Sequence, residues 1–286
     1  MQPLRARPAA APAEAGGRAQ ARGARRRLNF VRDGRGAPAL LFVHGYLCSH
    51  EDWRFQLNAL KETHEVVACD LRGHGATPGR PQECSIEHFG GDVAALANNL
   101  ELNKYILIGH SMGCRVVLEA NRIAPERVAG IVLVDGSRFA TGDPDAAEAS
   151  ARAAIERVGF KAFAEDLFRQ MFLEQTPATE RLVQRAVRQG AEIGAALWPR
   201  SARWDAGSLE PALDAVRAPV LVIQTTTRDP QTGKRGPMQR GQTSPWLNLL
   251  KSRLNNVRIE VLPGLGHFPQ LEAPDEVNRL IAEASR

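Results

Sequence analysis

The chain has 286 residues, 43% of them hydrophobic and 24% charged, the balance of an ordinary globular protein with room for one large domain. The net charge of +5 resembles a nucleic-acid signal, but residues 1–27 hold seven arginines against the single acid Glu14, so the remainder is nearly neutral. No nucleic-acid surface is expected on the folded part, and no apolar run reaches the roughly 20 residues that span a membrane.

The opening stretch, 1–27, is rich in Ala, Arg, Pro and Gly, with Leu4 its one large apolar residue. It cannot bury enough surface to offset the entropy of ordering, so a disordered tail is expected. It lacks the apolar core of a secretory signal, which leaves a cytoplasmic location as the expectation. Cys48, Cys69, Cys84 and Cys114 have no paired spacing. They read as reduced thiols rather than a zinc site or a disulfide framework.

From residue 38 short apolar runs alternate with longer amphipathic ones. "PALLFVHG" (38–45) reads as a buried strand, and "EVVACDLRGHG" (65–75) as a second that leaves through a glycine-rich loop. A helix is expected over 85–102 despite its Gly90–Gly91 pair, a strand over 104–111 and a helix over 112–124. Strands follow at 128–137, 218–227 and 258–264, with helices from about Pro245 and over 274–285. Continuous β-branched runs alternating with helices predict a parallel sheet covered on both faces. Between Asp135 and Ala218 there is no strand signal, only helical periodicity, so a helical cap is expected over 139–214. The core would then comprise 28–138 and 215–286. The apolar residues Phe160, Phe163, Phe168, Met171, Phe172, Leu197 and Trp198 in the cap suggest an apolar small-molecule substrate. "KRGPMQR" (234–240) reads as a solvated basic loop.

The chemistry centres on "YILIGHSMGCRVVL" (105–118), a strand, Gly-x-Ser-x-Gly, then a helix. Glycines two residues either side of Ser111 leave room for a sharp turn that lifts the hydroxyl to the carboxyl end of the sheet. A serine is a poor nucleophile alone and needs a base with something to orient it. Of seven histidines, His267 in "LPGLGHFPQLEAP" follows the last strand at the same edge and is the expected base. His110 adjoins Ser111 and must point elsewhere, while His44 and His74 lie in His-Gly turns that suit structural hydrogen bonds. Two acids could orient the imidazole. Asp135 closes the strand after the nucleophile helix and is favoured; Asp229, after the next strand, is the alternative. For the oxyanion, the amide of Met112 and the amide of Tyr46, in the loop after the first long strand, are the expected donors.

Together "FVHGYLCSHEDW", "VVACDLRGHGAT", "IGHSMG", "VLVIQ" and "GLGHFPQLEAP" resemble the α/β-hydrolase superfamily, in the expected order and from about residue 38 to the end. The resemblance implies an α/β-hydrolase fold: a mostly parallel sheet flanked by helices, with a helical cap inserted after the strand ending at Asp135. One stretch departs from the pattern. Where the family commonly has a Gly-x-x-Asp turn this chain has "QTTTRD", with Arg228 in the acid's slot and Asp229 one residue late. Members that take their acid from the preceding strand include haloalkane dehalogenases and cofactor-independent quinolone dioxygenases, and "VLVD" resembles that arrangement. A serine at the nucleophile position argues against dehalogenase chemistry. The expected activity is therefore a serine hydrolase of a carboxylic ester, lactone or similar small acyl compound, working without cofactor or metal. The alternative is a cofactor-independent dioxygenase that uses His267 as a base on a heteroaromatic substrate.

Overall fold

The computed structural model describes residues 19–20, 28–188, 190–229 and 231–286. In chain order the elements are β1 (Ala19–Gln20), β2 (Asn29–Asp33), β3 (Ala39–Val43), α1 (Arg54–Leu60), β4 (Val66–Cys69), α2 (Ile86–Asn99), β5 (Tyr105–His110), α3 (Met112–Ile123) and β6 (Val128–Val134). Four helices follow, α4 (Pro144–Val158), α5 (Phe160–Arg169), α6 (Pro177–Arg188) and α7 (Ala191–Gly207), then α8 (Leu209–Asp214). The chain closes with β7 (Val220–Gln224), β8 (Thr226–Arg228), β9 (Arg235–Pro237), α9 (Pro245–Arg253), β10 (Val257–Val261), α10 (Pro269–Glu272) and α11 (Pro274–Ala284).

Eight of the described strands form one sheet in the order β1-β2-β4-β3-β5-β6-β7-β10. From β4 to β10 every pairing is parallel, and β2 runs antiparallel to β4 and to β1. The period of two along each buried strand sorts its residues between two cores. Leu40, Phe42, Ile106, Ile108, Val132 and Val134 face α1 and α11. Leu41, Val43, Leu107 and Leu133 join Phe89 of α2, Val116 of α3 and Leu247 of α9 on the other face. Gly90 permits close packing there, since a Cβ on it would lie 2.5 Å from the Glu119 side chain of α3.

From β3 the chain passes to β4 on one side and later to β5 on the other, so loops after β3 and β5 diverge at neighbouring carboxyl ends. That is where open α/β sheets form their ligand crevice.

Two sequence expectations need correction, and one strand went unread. The strand β2 before residue 38 had no reading of its own. The run 218–227 is not one strand: it breaks after Gln224, and Thr226–Arg228 leaves the sheet to pair antiparallel with Arg235–Pro237. Residues 234–240 are not wholly a solvated loop, because the Arg235 side chain is 4% exposed and Met238 is fully buried. The last helix of the expected insertion, α8, packs on α7 and also on α3 and α9 of the core. The expectation of a disordered tail over 1–27 lies outside the described residues, apart from Ala19–Gln20, whose backbone pairs with Asn29–Phe30. All four cysteines are buried and none is in a disulfide. Among the described residues no helix is long and apolar enough to cross a membrane.

Candidate functional site

Ser111 sits between β5 and α3 with φ 55° and ψ −114°, a strained conformation for a residue with a side chain. The two flanking glycines permit this turn by absence of bulk rather than by backbone freedom. A Cβ on Gly109 would lie 2.3 Å from the Gly113 carbonyl oxygen, and one on Gly113 would lie 2.4 Å from that of Val43 in β3. Gly113→Ala must therefore push β3 and α3 apart, at a cost of about 1–3 kcal/mol. Gly91→Ala, whose Cβ meets nothing within 4 Å, serves as control and is expected to gain about 0.5–1 kcal/mol from helix propensity. Urea unfolding of the two variants reads the difference; equal stabilities would contradict the close-approach explanation.

At the turn the Ser111 hydroxyl meets His267 Nε2 at 2.7 Å, and His267 Nδ1 meets Asp135 Oδ2 at 2.5 Å. Asp135, at φ 45°, ends β6 and is fully buried. Its Oδ1 accepts the amides of Thr225 (2.7 Å) and Thr226 (2.8 Å), while Oδ2 also takes the Thr226 hydroxyl and Arg235 Nη1 (3.3 Å). Burial raises the Asp135 pKa, but the hydrogen bond and charge of His267, with Arg235 and Thr226, outweigh it and hold it at about 2. Asp229 is elsewhere: exposed, it accepts the amides of Gln231 and Thr232 in a local turn.

The loop carrying His267 is tied down on each side. Its own amide donates to the Met171 carbonyl at 2.7 Å, and its carbonyl accepts His110 Nε2 at 2.7 Å. Glu272 accepts the flanking amides of Gly266 (2.7 Å) and Phe268 (3.1 Å), and the Thr225 hydroxyl donates to the Gly266 carbonyl. Burial lowers the His110 pKa to about 4, so this neighbour stays neutral at physiological pH. Burial first, and then the positive charge of Arg235, lower the His267 pKa below its ordinary value of 6.5. The two other histidines in turns are structural: His44 Nδ1 donates to Gly45 and its Nε2 accepts Leu71 N–H, while His74 Nδ1 donates to Arg72.

The loop after β3 lies against the serine, for a Cβ on Gly45 would come within 3.3 Å of Ser111 Cβ. Tyr46 and Met112 both border the small cavity over Ser111, and the Tyr46 hydroxyl donates to the Gly194 carbonyl of α7 at 2.8 Å. That cavity holds about 20 Å³, room for about one water. Its apolar wall includes Met171, Phe139 and Trp198, the last two stacked at 4.5 Å. Of the seven apolar residues expected to set substrate choice, Met171 and Trp198 border this cavity. Beside them stand three guanidinium groups, Arg115, Arg228 and Arg235, which the expectation of an apolar substrate did not include.

The sequence model of the alpha/beta hydrolase family matches residues 40–280. The chain belongs to the alpha/beta hydrolase family. Among solved structures of this family's fold, the chain is similar to a thermophilic esterase from Thermogutta terrifontis solved with malate bound. The two share 26% identity and a TM-score of 0.75 over 94% of this chain and all of that one. An enol-lactonase from Burkholderia xenovorans LB400 shares the fold at 22% identity and TM-score 0.71, over 91% of this chain and 96% of that one. Among curated proteins, human epoxide hydrolase 4 is 32% identical over 112 residues, 38% of this chain and 31% of its own length. The acetyltransferase component of the acetoin-cleaving system of Cupriavidus necator is 34% identical over 113 residues, 40% of this chain and 30% of its own length. The matches span about a third of the length of the curated relatives.

In this alpha/beta hydrolase the five residues expected from the sequence, Ser111, His267, Asp135, Met112 and Tyr46, lie in one place, whereas the groups that support them had not been expected. Arg115 lies four residues after Ser111, early in α3, but a lone arginine in a helix reads as surface. Arg235, Thr225, Thr226 and Glu272 carried no signal: Arg235 lies in text read as a solvated loop and the two threonines at the end of a strand reading. These three are drawn in because the chain folds back over the Asp135–His267 pair, while Glu272 stays exposed.

Proposed function

We propose that this alpha/beta hydrolase is a serine hydrolase that cleaves a small carboxylic ester or lactone through an acyl-enzyme. The observation that carries the reading is the continuous hydrogen-bonded chain from Ser111 Oγ through both nitrogens of His267 to Asp135. Asp135 accepts from Nδ1–H, which fixes the tautomer and leaves Nε2 unprotonated, facing the serine hydroxyl. Ser111 donates its proton to Nε2 as its oxygen attacks the substrate carbonyl. The Met112 and Tyr46 amides receive the oxyanion, each worth about 3–4 kcal/mol. The imidazolium, stabilised by Asp135, then protonates the departing alcohol oxygen. Water then attacks the acyl carbon while giving a proton to Nε2. As the bond to Ser111 Oγ breaks, Nε2 returns that proton to Oγ, releasing the acid and restoring the serine. Similarity to an esterase over nearly the whole of both chains supports ester chemistry.

A fluorophosphonate probe is expected to label Ser111 in the intact protein and to leave Ser111→Ala unlabelled, read by peptide mass spectrometry. No label on a folded protein that consumes oxygen with a heteroaromatic substrate would instead favour the dioxygenase alternative, with His267 as base.

Only neutral His267 can act as base, and its pKa lies below 6.5, so activity is expected to persist below pH 6.5 before it falls. Arg235 is one cause of the depression, so Arg235→Met raises the pKa and moves the acidic limb of kcat/KM to higher pH. A limb that stays in place or moves to lower pH would contradict this role for Arg235.

A further inference from the structure

Building on the hydrolase reading, we propose that the substrate opened at Ser111 carries a carboxylate a few carbons from the reacting carbonyl, held by the guanidinium of Arg228. Of the three cations around the cavity, two already have partners. Arg115 is committed: its Nε and Nη2 grip Asp205 at 2.7 Å each, and Nη2 also donates to the Ser137 carbonyl. Arg235 is committed to Asp135 and to the Thr226 hydroxyl. Arg228 is not. Among the described residues no carboxylate lies within ion-pair distance of it, and its hydrogen bond is Nη1 to the Gly233 carbonyl at 2.9 Å. Its Nε is buried without a partner. The carboxylate of the adjacent Asp229 is taken by the amides of Gln231 and Thr232 instead.

Arg228 is half-buried, and a buried donor such as its Nε that finds no acceptor is costly, a cost that an anion arriving from solution removes. Burial, and then the like charges of Arg235 and Arg115, disfavour the charge on Arg228, so a bound anion gains from all three. The planar guanidinium suits a carboxylate, which takes two parallel N–H donors. Trp198 supports the group from one side, its ring centroid 5.9 Å from the guanidinium carbon.

Arg228 also stands on the border between two spaces. An outer cleft of about 450 Å³, lined in part by Thr141, Gln224, Trp246 and Leu249, adjoins the cavity over Ser111. Both spaces are bordered by Ser137, Phe139 and Arg228. Arg228 therefore faces both spaces, so a carboxylate held by it in the cleft lies on the side from which an acyl carbon would approach Ser111.

The test compares p-nitrophenyl hemiesters of succinate, glutarate and adipate with neutral p-nitrophenyl esters of equal acyl length. In wild type the best hemiester is expected to exceed its neutral counterpart in kcat/KM by about 10- to 100-fold, the worth of a charged hydrogen bond. In Arg228→Met, which keeps the stem against Trp198, that ratio falls to about one; Arg228→Lys keeps part of it. Binding of glutarate to Ser111→Ala, followed by calorimetry, weakens about 10-fold or more when Arg228→Met is added, a readout independent of turnover. A ratio near one in wild type, or a preference that survives Arg228→Met, overturns the proposal. Arg228-dependent glutarate binding in a protein that turns over none of these esters supports the anion site and counts against the hydrolase reading alone.

Discussion

Asp135→Asn is expected to lower kcat for ester hydrolysis about 10,000-fold, while Asp229→Asn stays within about twofold of wild type. The size of the first effect follows from tautomer control rather than from lost charge alone. Oδ1 of Asp135 accepts two backbone amides, from Thr225 and Thr226. In the asparagine variant the side-chain oxygen keeps that place, and its NH₂ turns toward His267 Nδ1. Nδ1 must then accept, the ring proton moves to Nε2, and the serine hydroxyl faces a donor where it needs a base. Asp229, by contrast, is exposed and closes a turn, which asparagine closes equally well. Steady-state kinetics on a p-nitrophenyl ester read both variants. An inactive Asp229→Asn beside an active Asp135→Asn would transfer the orienting role to Asp229.

The second large effect concerns Ser111 and His267 together. His267→Ala is expected to reduce kcat roughly a million-fold, and so is Ser111→Ala; the double variant is expected to be no slower than either single one. In the proposed mechanism the two side chains share one proton transfer across the 2.7 Å contact, so removing either removes the whole step. Residual activity would come from the oxyanion donors and from substrate positioning. Single-variant losses that multiply in the double variant would show that the two residues act independently.

Much of this site is legible in the sequence because its parts are local or stand at fixed positions relative to the strands. Ser111 declares itself through two glycines whose lack of a Cβ is needed for β5, α3 and β3 to approach. His267 follows from its place after the last strand of a parallel sheet. The choice between Asp135 and Asp229 is harder, as both follow strands at the same edge, and the difference lies in where the chain turns after Gln224. "TTT" reads as the end of a continued strand; instead Thr225 and Thr226 point their amides at Asp135, and the chain from Thr226 forms a hairpin. Three residues of polar strand carry no periodicity to detect. β2 is hidden for a related reason, since only Phe30 of its five residues is buried. Arg115, Arg228 and Arg235 illustrate the remaining gap. A lone arginine in a sequence reads as surface, and only the fold shows that these three converge on one cavity.

The most direct measurement of covalent catalysis at Ser111 is rapid-quench peptide mass spectrometry during turnover of a p-nitrophenyl ester. The expected result is an acylated Ser111 peptide that forms and decays on the timescale of turnover, and that accumulates when deacylation is slowed. Full turnover with the Ser111 peptide unmodified at every time point would contradict it.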